Sequence, residues 1–238
     1  GFQKIPLERM GLYQSPDRVT WPVSHPVKAA PTKPAVKRSA PSAPTVVTVP
    51  QGVAPKIDGT LSSGEWGDPT LILEQEVGGN VVTPPSRVFL RVSGDALYSG
   101  FENTVDVAVP LRLGREWGQN DAVEAALKVL DRPGTPTVVL RGFTTGKVVP
   151  SSEAGMPESA SARLGSAITY AARIVSSSLW TAEMRIPLVA LGLEPGKPAR
   201  LAANFTARKT AGPNWVQWRG TGGSTWLVEN AGILSIMP

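Results

Sequence analysis

The 238-residue sequence has no cysteine and a single histidine, His25. A disulfide frame, thiolate chemistry and a His-rich transition-metal site are therefore excluded. His25 lies in a proline-rich stretch, so a Ser-His-Asp triad finds no histidine in the body of the chain. Hydrophobic runs are short. None approaches the length of a membrane span, and Gly1-Phe2-Gln3-Lys4 lacks the apolar core of a signal peptide. Gly1 is not a translation start, which reads as a processed chain or a portion of a longer one. Phe and Tyr are also scarce, at five and three against seven Trp.

Acidic residues are missing between Arg18 and Lys56, where Lys28, Lys33, Lys37 and Arg38 are basic and eight prolines from Pro22 to Pro55 punctuate the chain. This composition describes an extended, polyproline-like connector. The boundaries read as an exit segment of an upstream domain over 1–23, a Pro/Ala/Lys-rich linker over 24–54 and one folded domain over 55–238. The formal charge of +5 belongs mostly to the connector, because residues 58–238 hold 16 Lys and Arg against 17 Asp and Glu. A domain without a basic bias gives nucleic acid no electrostatic footprint. With 41% hydrophobic residues the chain can bury a real core. Four Lys against twelve Arg within residues 58–238, Thr/Ser/Gly-rich turns and the proline-rich arm all fit a secreted, extracellular protein.

What the chain has in quantity is tryptophan in polar surroundings. Trp215, Trp218 and Trp226 fall within twelve residues, separated by Gly, Ser and Thr. Indoles on Gly-rich loops suit stacking on a flat apolar face, such as that of a pyranose ring, although a strand-borne Trp is as readily a core residue.

The domain reads as short strands separated by Gly, Pro, Asn and Ser. Val88, Leu90 and Val92 alternate, Ser93-Gly94-Asp95 turns, and residues 97–101 return as a hairpin partner. Strands are also predicted over 137–143, 168–175, 181–186, 201–209, 215–219 and 232–236. Residues 121–130 combine helix-forming composition with the alternation of Val123, Ala125, Leu127 and Val129, and the turn at 131–136 favours a strand. Residues 186–192 predict a helical turn, with Pro at its start and Gly at its end, and little other helix is expected. The fold class is all-β, an antiparallel β-sandwich.

Ile57-Asp58-Gly59 with Glu65-Trp66 resembles the opening block of family 9 carbohydrate-binding modules. Further blocks match in order: Ala96-Leu97-Tyr98, Asn120 to Glu124, Trp180 to Leu188 and Ala231 to Leu234. The resemblance covers about residues 55–238. It implies a jelly-roll-like sandwich that binds polysaccharide or oligosaccharide without cleaving it and is usually appended to a polysaccharide-acting enzyme. Residues 1–13 and 18–23 resemble the segment leaving the last coil of a secreted bacterial right-handed parallel β-helix. That implies an upstream β-helix domain, with residues 1–54 lying against it, against this domain or against an assembly partner.

Members of the family that bind sugar chain ends clamp the ring between two tryptophans and hold its hydroxyls with charged and amide groups. By that resemblance Trp117 is the first stacking residue and Trp226 the second, with Trp218 as its competitor. Glu124 and Arg141 lie on consecutive predicted strands, placed to meet across the 131–136 turn as a hydroxyl-gripping pair or an ordinary ion pair. Asn120, Asp121 and Arg208 are further candidates for the same mouth, though Asn-Asp is also turn chemistry. The amide that precedes the second stacking Trp in the family has no match in Gly222-Gly223-Ser224. Trp66 and Trp180 read as core. No catalytic residue, metal ligand or cofactor is assigned, although Glu65, Asp68 and Glu183 are where a structural calcium of some relatives would find carboxylates. Two other classes stay open: an assembly module without sugar binding, and a glycoside hydrolase pairing Glu124 with Glu183 or Asp121.

Overall fold

The computed structural model describes residues 44–212 and 214–237. The exit segment and most of the linker lie outside them. Twelve strands and two helices follow in order: β1 (Val46–Thr48), α1 (Ser63–Trp66), β2 (Leu71–Gln75), β3 (Val81–Ser93), β4 (Ala96–Thr104), β5 (Ala122–Val129), β6 (Val138–Phe143) and β7 (Lys147–Ser151). After these come α2 (Glu158–Ala167), β8 (Thr169–Ser176), β9 (Leu179–Pro187), β10 (Ala199–Lys209), β11 (Asn214–Gln217) and β12 (Gly232–Ile236).

Hydrogen bonding runs β7, β6, β5, β10, β11, β2, β3, β4, β9, β8, with β12 branching from β10. The branch arises because β10 is long. Its first half, Ala199–Ala203, pairs with β12, and Thr206–Lys209 pairs with β11. One continuous ladder thereby doubles back into two packed layers, an antiparallel β-sandwich that is nearly closed. Its two ends approach where Tyr170 of β8 donates its hydroxyl proton to the carbonyl of Phe143 on β6, at 3.2 Å. Among the strands described, the exception to antiparallel pairing is β1, which lies parallel to β12. The domain's first strand is thus formed by residues that composition assigns to the linker.

Alternation explains the core. Val88, Leu90 and Val92 of β3, Leu97 and Phe101 of β4, Val123, Ala125 and Leu127 of β5, Trp180, Ala182 and Met184 of β9 and Leu201, Ala203 and Phe205 of β10 all point between the layers. The opposite face of β4 is covered by the segment from Ile57 to Trp66. Leu61 and Trp66 pack so closely over Gly100 that a Cβ there would stand 2.7 Å from Leu61 Cδ2. Glu183 ties this cover down, accepting from the backbone of Asp58 (2.9 Å) and Gly59 (2.6 Å) and from the Trp66 indole (2.8 Å). The opening block of the family resemblance is therefore framework, with Trp66 and Trp180 buried.

The hairpin β3/β4 and the strand over 121–130 form as the patterns predict. The turn Leu188–Leu191 is 3-10 and closes on Gly192 in the left-handed region. Helix α2 departs from the sequence expectation. Leu164 is its one large buried side chain, and Pro157 precedes it where a capping hydroxyl would normally mark a start. Among the described residues no helix is long and apolar enough to cross a membrane.

Candidate functional site

In an antiparallel ladder, residues directly opposite one another project from the same face. The registers of four strands therefore align Arg141 (β6), Glu124 (β5), Thr206 (β10) and Gln217 (β11) in one row on the face turned away from the core. Two residues further along the strands, Ala122, Arg208 and Trp215 form the next row. Above these rows lies a cleft of about 370 Å³ lined by Trp117, Trp215, Trp226, Glu124, Arg141 and Glu153, together with Gln217, Thr225 and Val77.

Arg141 and Glu124 meet at 2.7 Å through Nε, with only 7% and 1% of their surfaces exposed. The other edge of the guanidinium donates from Nη1 (3.0 Å) and Nη2 (2.7 Å) to the two oxygens of Glu153, which lies just beyond β7. One cation is thus held between two carboxylates. Burial pushes the Glu124 carboxyl above the usual carboxylate range, against the opposing pull of Arg141 and the Thr225 hydroxyl. Glu153 is drawn below that range by its hydrogen bonds from Arg141. For Arg141, desolvation works against the charge, but the two carboxylates outweigh it and the net shift is upward.

The indoles stand around this cluster. Trp117 lies 4.5 Å from the Arg141 guanidinium, face on, and Trp215 lies 5.0 Å from that of Arg208. The neighbour of Trp117 is Trp215, at 5.1 Å between ring centroids and 52° between planes. These two are too close and too steeply inclined to admit a sugar ring between them; they form an angled wall. Trp226 enters from the 221–227 loop and packs on Ala126, Val139, Ala202 and Val228. That loop is fixed by Thr225 against Thr206 at 2.6 Å, and by Gln217, whose Oε1 accepts from the Thr221 amide while its Nε2 donates to Gly223.

Four expected site residues occupy other positions. Trp218 is buried, on the opposite side of the strand from Trp215. Asn120 accepts from the Glu116 amide (2.8 Å) and donates to the Leu113 carbonyl (3.1 Å). Asp121 accepts from the Arg112 amide (2.7 Å), the Thr210 amide (3.0 Å) and the Thr210 hydroxyl (2.6 Å). Arg208 donates to Gly118 (2.9 Å) and to the Lys209 carbonyl (2.7 Å). Asn120, Asp121 and Arg208 thus hold the loop that carries Trp117 and do not line the cleft. Trp215, Glu153 and Gln217 do line it, and sequence reasoning did not select them. Alternation within Trp215-Val216-Gln217-Trp218 was the available signal, since it separates Trp215 and Gln217 from Trp218.

Among the described residues no group of three or more His, Asp and Glu side chains is gathered as a metal site requires. Glu65 hydrogen-bonds the Ser62 hydroxyl (2.5 Å), and the oxygens of Glu183 are engaged beneath the Ile57–Trp66 cover.

No protein-family model matches the sequence, and no curated protein matches it. Among solved structures, the fold is similar to that of a family 9 carbohydrate-binding module from Caldicellulosiruptor kristjanssonii in complex with cellotriose. The match has a TM-score of 0.57 and 15% identity, and covers 81% of this chain and 94% of the other. A family 9 module from the same organism in complex with glucose gives a TM-score of 0.56 and 16% identity, covering 81% and 95%. At such identity the likeness establishes architecture: the chain has a β-sandwich fold of the family 9 carbohydrate-binding module type.

Proposed function

We propose that this chain is a non-catalytic carbohydrate-binding module of a secreted bacterial protein that associates with polysaccharide. The observation that carries the reading is the cleft itself, where three partly exposed indoles, Trp117, Trp215 and Trp226, surround a buried acid-guanidinium cluster. A pyranose presents apolar C–H faces and a rim of hydroxyls. The indoles suit the faces, and Glu124, Arg141 and Thr225 suit the rim. Trp226, which lines the same cleft, is the second stacking surface, with the Trp117/Trp215 wall as the first. Arg208, Asn120 and Asp121 act at one remove, by positioning Trp117. The arm preceding β1 would tether the module to an upstream β-helix domain that acts on the same polymer.

Hydrolysis fits poorly. A glycosidase needs two carboxyl groups free to face one scissile bond. Glu183 and Asp121 are engaged away from the cleft, and both cleft carboxylates are clamped by Arg141.

The test is a glycan array probed with the full chain, followed by calorimetric titration of the strongest hits. Binding of an oligosaccharide that is abolished or cut at least about tenfold by Trp117→Ala is expected. A folded protein that binds no glycan would turn the assignment to an assembly module.

A further inference from the structure

Arg141 is the one cationic side chain among the described residues that line the cleft. Its inner edge is held by Glu124, and its outer edge makes two parallel bonds to Glu153. That paired geometry is the one the carboxylate of a uronic acid would adopt on a free guanidinium. The two acids differ in burial. Glu124 lies in the cleft floor with 1% of its side chain exposed, whereas the Glu153 side chain is 57% exposed at the mouth. The next guanidinium, Arg208, is also engaged, with Gly118, the Lys209 carbonyl and Asn214.

On the reading that the cleft takes sugar, we infer that Glu153 sets its charge selectivity: by occupying the outer edge of Arg141 it keeps carboxylated sugars out. A uronate entering the mouth meets a carboxylate where it needs a cation, and it has no unoccupied guanidinium to pair with. Such like-charge juxtaposition is a way of rejecting a wrong partner that favourable contacts alone do not supply. The hydrogen bonds from Arg141 lower the proton affinity of Glu153 and so favour its charged form.

The experiment titrates the full chain and its Glu153→Ala and Glu153→Gln variants with two trimers that differ only at C6: cellotriose and β-1,4-linked triglucuronate. Glu153 is at the surface, so both variants are expected to fold. The parent chain should favour the neutral trimer by at least about tenfold, and Glu153→Ala should gain affinity for triglucuronate by a similar factor. Equal binding of both trimers by the parent chain, or no gain for triglucuronate in a variant that still binds cellotriose, overturns the role of Glu153 and leaves the sugar-binding reading standing. Failure of all three proteins to bind either trimer, or any glycan on the array, removes both.

Discussion

The six-membered ring of Trp218 lies on the backbone of Gly232 so closely that a Cβ added there would stand 2.2 Å from Cη2. This contact places Trp218 in the interior. It belongs to the same core cluster as Val216 and Leu234. The substitution Gly232→Ala should force the indole to shift, at a cost of about 1–3 kcal/mol typical of overpacking. Chemical denaturation followed by tryptophan fluorescence checks this, and an unchanged midpoint would contradict it.

Arg141 and Glu124 are a buried pair, and breaking one is costly when a charge is left alone. In Arg141→Met the Glu124 carboxyl loses its cation and must be buried unpaired or take up a proton. A loss of about 3–5 kcal/mol is expected. Glu124→Gln keeps a polar group of the same shape beside Arg141, which retains Glu153, and should cost clearly less. The asymmetry between the two variants in urea denaturation is the readout; equal losses would argue against an uncompensated charge.

Trp215 should behave differently from Trp218 although three residues separate them. It is half-exposed and held by Trp117 and Arg208, so Trp215→Ala should barely move the melting temperature. It should weaken sugar binding about tenfold, by removing one plane of the angled wall. Normal affinity in this variant would restrict stacking to Trp117 and Trp226.

Much of the fold was legible because it rests on local alternation. The β3/β4 hairpin, the β5 strand and the meeting of Glu124 with Arg141 each follow from a short stretch of sequence and one turn. Helix α2 was not legible, because a single Leu on an Ala/Ser face carries almost no helical period. The cleft was only partly legible for a different reason. Its floor is a row across β6, β5, β10 and β11, and the pairing of β10 with β5 joins residues far apart in the chain, whose register no local pattern specifies. Glu153 reaches Arg141 because the chain beyond β7 turns back over the sheet, which no motif announces. The loop duties of Asn120 and Asp121 were within reach, since Asx side chains before a strand commonly bond nearby backbone.

Lys209 supplies the pH dependence. It is fully buried and donates from Nζ to the Pro84 carbonyl at 2.5 Å. Desolvation lowers its pKa from 10.5 to about 8, with Asp121 opposing the shift weakly. Between those two values the unfolded chain holds the proton and the folded chain has released it. Stability therefore rises with pH through that window. The full gain is about 3 kcal/mol. Lys209→Met removes the buried ammonium along with one hydrogen bond, worth about 1 kcal/mol. The variant should thus match or exceed the parent at pH 7, and lose that advantage as pH climbs from 8 towards 10.5. The two proteins differ at this one residue, so the difference between their urea denaturation curves reports on Lys209; a difference that stays constant with pH would mean that the ammonium remains charged in the folded protein.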